Sequence, residues 1–324
     1  MKILVTGSAG HLGEALMRTL QQTDHDAVGV DILSSPFTTH VGSITDKTFV
    51  ASCTANVDAV IHAATLHKPH VESHSKQDFI DVNVTSTLNL LEAAHAAGAS
   101  RFIFTSTTSA FGNALTPPAG APAAWITEDV APVPKNIYGV TKVAAEDLCE
   151  LFHKLHGLPC IVLRTSRFFP EDDDSAATRN DFDGVNAKVN EILFRRVDIE
   201  DAVSAHLAAI ERAPEIGFGR YIISATSPFT QEDLAELRRD APATLRRYAD
   251  FDADYEQREW SMFPSIDRVY VNARARADLG WRPAYDFASI LDRLRAGEPP
   301  FSKLADAVGV KGYHPTSAKI YPFN

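Results

Sequence analysis

The chain has 324 residues, 45% of them apolar, and a formal net charge of −11. That length and composition imply a sizeable core in about two domains, or one large domain with a lobe attached. The acidic balance disfavours nucleic acid or an anionic membrane as partner, since both demand a basic surface, and no apolar run approaches the ~20 residues needed to cross a bilayer. Three scattered cysteines, Cys53, Cys149 and Cys160, lack CxxC spacing and read as reduced thiols of a cytoplasmic protein. The opening residues enter a strand pattern at once, so no signal peptide is expected.

Ile3-Leu4-Val5 predicts a buried strand, Gly7, Gly10 and Gly13 a turn, and Glu14 to Leu20 a helix. A strand that turns through glycines into a helix N-terminus directs backbone N–H groups and the positive end of the helix dipole at an anion such as a pyrophosphate. The spacing is GxxGxxG. The next strand, Ala27 to Val30, ends at Asp31, about twenty positions on, where a carboxylate accepts both hydroxyls of an adenosine ribose and repels an added 2′-phosphate. No Arg or Lys follows in Ile32-Leu33-Ser34-Ser35, so the expected cofactor is NAD and not NADP.

Val41 to Asp46 reads as a third strand, with Ser43 and Ile44 nearest the adenine, and Phe49-Val50-Ala51 as a helix. Asp58 to Ala64 predicts a fourth strand whose small end residues, Ala63 and Ala64, pass close under the cofactor. Strands alternating with helices imply right-handed crossovers and a parallel sheet with ligands at the strands' carboxyl ends. His62, His67, His70 and His74 form a local cluster, but nothing nearby completes a zinc pattern, and no metal is predicted. Phe79 to Ala97 predicts one long helix ended by Gly98, with Asn83 inside it as an amide that could bridge to a neighbouring strand or water.

Arg101 to Ser109 is a buried strand running into hydroxyl residues, Thr107, Thr108 and Ser109, that could bind a substrate oxygen. The Pro- and Ala-rich stretch Leu115 to Trp125 is a loop, either a lid over the substrate or a surface excursion. Tyr138-Gly139-Val140-Thr141-Lys142 opens the next helix and puts Tyr138 and Lys142 on one face. An ammonium beside the phenol favours phenolate, drawing the tyrosine from ~10 toward the working pH.

This succession resembles an extended short-chain dehydrogenase/reductase of the NAD-dependent epimerase/dehydratase family. The residues that carry the resemblance are GSAGHLG (Gly7 to Gly13), Asp31, HAA (His62 to Ala64), TSTTSAFG (Thr105 to Gly112) and YGVTK (Tyr138 to Lys142). VDIEDAVSAHL (Val197 to Leu207) and LGWRP (Leu279 to Pro283) agree with the family's later signatures. The resemblance implies an α/β fold, a Rossmann-type doubly wound parallel sheet with a smaller C-terminal mixed α/β substrate lobe. Residues 1–165, with sheet-completing segments from 190–225, would bind NAD, and 166–324 would form mainly the lobe. Tyr138 would transfer the proton, Lys142 would bind the nicotinamide ribose and lower the Tyr138 pKa, and Thr107 would hold the substrate oxygen. The implied cofactor contacts are Gly7, Gly10, His11, Leu12, Gly13, Asp31, Ser43, Ile44, His62, Ala63, Ala64, Asn83, Tyr138, Lys142 and Thr165. A homodimer through the helices Phe79–Ala97 and Tyr138–His156 is also implied.

Arg164 to Pro170 stands where nucleotide-sugar epimerases resemble Arg-Tyr-Phe-Asn-Val-Tyr-Gly, with Arg167 in place of the amide. The acidic run Glu171 to Asp174 would repel a diphosphate, which argues against a UDP-sugar. Arg167, Arg195 and Arg196 could instead clamp a smaller acidic or phosphorylated polyol. With Thr107, Thr108 and Ser109, Arg167 and Arg196 make up the expected substrate contacts. From Tyr221-Ile222-Ile223-Ser224 onward the chain reads as the lobe, with helices over Gln231–Asp240 and Phe287–Leu294 and a strand at Val269–Val271.

Three functions fit: an NAD-dependent dehydrogenase for a secondary alcohol of a sugar-like or hydroxy-acid substrate, an NAD-dependent sugar epimerase such as a UDP-glucose 4-epimerase-like enzyme, and a non-catalytic NAD-sensing protein. Thr108 and Ser109 stand where a dehydratase would have its Asp–Glu pair.

Overall fold

A computed structural model describes residues 1–173 and 175–312; Asp174 of the acidic run and the tail from Tyr313, His314 included, lie outside the described residues. β1 (Lys2–Thr6), β2 (Asp26–Asp31), β3 (His40–Val41), β4 (Ala59–His62), β5 (Arg101–Thr107), β7 (Cys160–Thr165) and β8 (Phe218–Ile223) form one parallel sheet in the order β3-β2-β1-β4-β5-β7-β8. The strand order reverses between β1 and β4, which opens a crevice at the carboxyl ends. Alternate side chains of each strand feed two cores. Ile3, Val5, Ile61, Ile103 and Leu163 pack with α1 (His11–Leu20) and α8 (Ile199–Ile216). Leu4, Val60, Phe102 and Val162 pack with α2 (Lys47–Thr54), α4 (Ser86–Ala96) and α5 (Ile137–His156). Burial on both faces is why these strands read as continuous apolar runs.

A third core belongs to the lobe. It gathers α7 (Gly184–Ile192) with Phe194, Phe229, Leu245, Tyr255, Phe263 and Phe287. Its remaining helices are short: α6 (Ala176–Asp181), α9 (Leu234–Leu237), α10 (Ala241–Leu245), α11 (Asp252–Glu256) and α13 (Phe287–Arg295), while α12 (Ala273–Asp278) packs on β8. α14 (Lys303–Val308) returns to pack on α1 and α8. The two late signatures are tied together: Asp201 accepts from the Ala284 and Tyr285 N–H groups at 2.7 and 2.9 Å, and Trp281 Nε1 donates to the Asp201 carbonyl at 3.1 Å.

Four local expectations are corrected. The third strand stops at Val41, because Ser43 and Asp46 turn to local backbone: Asp46 N–H donates to the Ser43 carbonyl, and the Asp46 carboxylate caps α2. The long helix begins earlier, as α3 (Lys76–Ile80), and passes through a π turn at Asp81–Thr85 before α4. The stretch Leu115 to Trp125 ends in β6 (Ala124–Ile126), which pairs in parallel with β9 (Arg268–Tyr270). Gln231–Asp240 holds only a single turn followed by α9, while Tyr221 to Ile223 complete the main sheet within the segment 190–225 expected to do so.

Candidate active site

A cleft of about 430 Å³ opens at the carboxyl ends of the strands. One end is built by the glycine turn. Gly7 has φ +78, and a Cβ there would lie 2.9 Å from Ala64 backbone atoms. At Gly13 a Cβ would lie 1.9 Å from the Gly7 carbonyl oxygen, so only glycine lets α1 start this close to β1. Gly10 precedes α1 with no side chain to cap it, and Gly7, Gly10, His11, Leu12 and Gly13 all line the cleft. The first-turn N–H groups therefore stand ready for an anion. Asp31 lines the same end and is oriented by two amides: Ala9 N–H donates to Oδ2 at 3.0 Å and Leu33 N–H to Oδ1 at 2.9 Å. Burial raises its pKa, and these amides oppose the rise. Ser43, Ile44, Ala63, Ala64 and Thr165 line the cleft as well. This donor set fits a dinucleotide: an uncapped helix start for the pyrophosphate and a carboxylate for the ribose.

Two of the predicted cofactor residues point elsewhere. The His62 ring is inside the protein, between the Thr6 hydroxyl at Nδ1 (2.8 Å) and the Thr87 hydroxyl at Nε2 (3.0 Å), and burial pushes its pKa well down. Asn83 is buried and fully engaged. Its Oδ1 accepts from Leu66 N–H and the Thr65 hydroxyl, while Nδ2 donates to the Leu66 carbonyl and the Thr141 hydroxyl. It joins the π turn to the loop after β4 and to α5, and neither residue lines the cleft.

At the other end Thr107, at the close of β5, stands with Thr108, Ser109 and Tyr138 on the cleft wall. Asn136 caps α5 by accepting from Gly139 N–H at 3.0 Å, which fixes the turn that carries Tyr138. Burial pushes the phenol up to about 12, and a hydrogen bond with the Thr107 hydroxyl works against that rise. Lys142 does not act on the phenol as expected. Its ammonium donates to the Thr105 carbonyl at 2.6 Å and lies 4.0 Å from the centre of the Phe104 ring. Burial lowers it to about 7, against the pull of Glu146, and Lys142 does not line the cleft.

Arg167 lines the cleft, but Arg196 is turned away: its Nε donates to Glu191 at 2.7 Å and its Nη1 to the Phe169 carbonyl at 2.9 Å. The neighbouring Arg195 lines the cleft in its place, with Arg268, Tyr270 and Lys135. Arg268 and Tyr270 had no local signal, since β9 reaches the cleft by pairing with β6. Leu115 and Thr116 make the Pro-rich stretch part of the wall, and Lys135 Nζ donates to the Thr116 hydroxyl at 2.7 Å. His67 and His70 also line the cleft. His67 stacks on Phe169 with ring centres 5.4 Å apart, and burial pushes both histidines down, His70 to about 4. Among the described residues no three His, Cys, Asp or Glu side chains are grouped to hold a metal ion.

Lys311, far along the chain, meets the helix that follows the glycine turn. His11 Nε2 is 3.0 Å from Glu171 Oε1, which also accepts from the Lys311 N–H at 2.9 Å, and Lys311 Nζ pairs with Glu14. Burial alone would raise the Glu171 carboxyl, but His11 and the Lys311 amide hold it down at about 2.

The chain's relatives agree with this arrangement. An uncharacterized UDP-glucose epimerase of Bacillus subtilis, YtcB, is 30% identical over 185 residues, a match that spans 51% of this chain and 55% of that relative's own length. A dTDP-glucose 4,6-dehydratase of Neisseria meningitidis serogroup B is 28% identical, with 89% of this chain and 90% of the relative covered. In fold the chain is similar to a UDP-glucose 4-epimerase of Thermotoga maritima solved with UDP-glucose (TM-score 0.62, 23% identity, 92% and 99% covered). It is similar too to a UDP-glucuronic acid 4-epimerase of Bacillus cereus solved with NAD (TM-score 0.63, 21% identity, 94% and 100% covered). The family model described as NAD dependent epimerase/dehydratase matches residues 3–223. With that match joined to the glycine turn, Asp31 and the Tyr138 wall, the chain belongs to the NAD-dependent epimerase/dehydratase family, enzymes of the extended short-chain dehydrogenase/reductase type.

Proposed function

We propose that this enzyme transfers hydride at a secondary alcohol of a sugar-like or hydroxy-acid substrate, with Tyr138 as its proton-transfer residue. The observation that carries this reading is that Tyr138 and Thr107 stand together on the wall of the cleft that the glycine turn opens. NAD, when bound along Gly7 to Gly13 and Asp31, supplies the two-electron acceptor. Thr107 holds the substrate oxygen by donating to it. Tyr138 takes the hydroxyl proton as the alcohol becomes a carbonyl and returns it in reduction. Burial holds the phenol near 12 in the cofactor-free protein, and the positive charge of a bound nicotinamide would draw it down toward the phenolate that takes the proton. In this reading residues 1–165 with segments of 190–225 hold the cofactor, and most of 166–324 shapes the substrate end.

The test is turnover of NAD with a panel of sugar acids, aldoses and UDP-sugars, read both as NADH and as epimer. Tyr138→Phe is expected to lower kcat by about a hundredfold or more. Unchanged turnover in that variant sinks the reading.

Epimerisation, in which the hydride returns to the other face of the carbonyl, is a second reading. It is favoured by the tie of Lys311 to Glu14 and Glu171 beside the glycine turn, a contact suited to retaining the cofactor. Epimer formed without free NADH selects it.

The same proposal extends to assembly and compartment. α5 exposes Val140, Leu151 and Leu155, which are 51%, 46% and 67% accessible and suit a homodimer contact, tested by light scattering. The free thiols of Cys53, Cys149 and Cys160 suit the cytoplasm, and no helix among the described residues is long and apolar enough to cross a membrane.

A further inference from the structure

Charge is distributed unevenly along the cleft. Lys68, Lys135, Arg167, Arg195 and Arg268 line it, whereas its two carboxylates, Asp31 and Glu171, stand at the end built by the glycine turn. In a chain of net charge −11 this grouping opposes the overall field.

Backbone ties bring the three arginines together. Val197 N–H donates to the Arg167 carbonyl at 3.0 Å, and Tyr270 N–H donates to the Phe194 carbonyl at 3.1 Å. Counter-charges outside the cleft wall hold the guanidiniums. Asp173 Oδ2 is 3.2 Å from Arg195 Nη2 and 3.5 Å from Arg167 Nη1, and Glu191 Oε1 is 2.7 Å from Arg195 Nη2. Both ion pairs of Arg195 pass through Nη2, and the pair of Arg268 with Asp267 passes through Nη1 at 3.0 Å. Arg195 Nη1 and Arg268 Nη2 have no acceptor among the described residues. A guanidinium fixed by one nitrogen, with another open, is the fork that a planar oxyanion binds.

We propose that Arg167, Arg195 and Arg268 bind an oxyanion of the substrate, a carboxylate or a phosphate monoester, so that the enzyme acts on a compact anionic polyol. The identity of that polyol as substrate rests on the hydride-transfer reading; the anion site itself does not. Asp172 and Asp173 border the arginines, which leaves positive charge for one compact oxyanion and not for two phosphates in line.

The experiment is calorimetric titration of the NAD-loaded protein with D-gluconate, D-glucose 6-phosphate, D-glucose and UDP-glucose. One of the two compact anions is expected to bind about tenfold or more tighter than glucose, and which one does so separates carboxylate from phosphate. Arg195→Gln is expected to remove that advantage. Because Arg195 also pairs with the buried Glu191, Arg268→Gln and Arg167→Asn are the second readout, each expected to weaken the anion about threefold or more at unchanged melting temperature and unchanged glucose affinity. The proposal is overturned if neither anion outbinds glucose, if the advantage survives in both second variants, or if UDP-glucose binds tightest. Turnover by the unsubstituted enzyme separates the two claims: anion binding without turnover of any substrate sinks the hydride reading alone, and turnover of neutral sugars with no anion preference sinks the anion site alone.

Discussion

The ammonium of Lys142 and the carbonyl of Thr105 are joined at 2.6 Å, which ties the lysine to the end of β5. The phenol is lifted by burial, and only Thr107 opposes that lift. In cofactor-free protein the ultraviolet tyrosinate titration, taken as the difference between wild type and Tyr138→Phe, is therefore expected to place Tyr138 near 12. Lys142→Met should leave that midpoint where it is, while added NAD should lower it. A cofactor-free midpoint at or below the ordinary ~10 contradicts the structure.

Gly13→Ala puts a methyl group 1.9 Å from the Gly7 carbonyl, against backbone that cannot swing aside. α1 must withdraw from β1, at a cost of about 1–3 kcal/mol or more in chemical denaturation, and NAD binding should fall with it. Gly98→Ala is the control. Its φ of +72 costs about 1–2 kcal/mol, but nothing lies within 4 Å, so NAD affinity should hold.

Asp31, proposed to select the cofactor by charge, accepts two backbone N–H groups with its carboxylate. Asp31→Asn keeps an acceptor and removes the charge. It is expected to weaken NAD about tenfold and to bring NADP within reach of NAD, measured as the ratio of the two dissociation constants. A preference unchanged by the substitution would show that Asp31 does not read the ribose.

Glu171 has a folded-state pKa of about 2 against an ordinary 4.5. A depressed carboxyl contributes stability that is present above the ordinary value and lost as pH falls through the folded one. The gap in unfolding free energy between wild type and Glu171→Gln should stay level above 4.5 and close between 4.5 and about 2. A gap that widened on acidification would reverse the sign of this contribution.

Much of this was legible in the residues. The central strands announce themselves because both faces are covered, and the glycines, Asp31 and Tyr138 announce themselves because each is required by local backbone or chemistry. His62 and Asn83 misled for the opposite reason. Their partners, Thr6 and Thr87 for the ring and Leu66 and Thr141 for the amide, come from elsewhere in the chain, and no motif tells a satisfied polar side chain from a waiting one. Arg195 and Arg196 are adjacent in sequence, and which of them enters the cleft depends on the bridge between Arg167 and Arg196. Arg268 becomes part of the site only through the pairing of β9 with β6, a long-range event without a local trace.

Glu14 and Lys311 are 297 positions apart, yet their ion pair lies over α1 and its glycine turn. During synthesis that helix and its glycine turn wait, incompletely covered, until Lys311 has been translated. A nascent chain arrested before α14 should therefore hold cofactor more weakly even with its sheet assembled, which makes full ligand retention wait on the synthesis of α14.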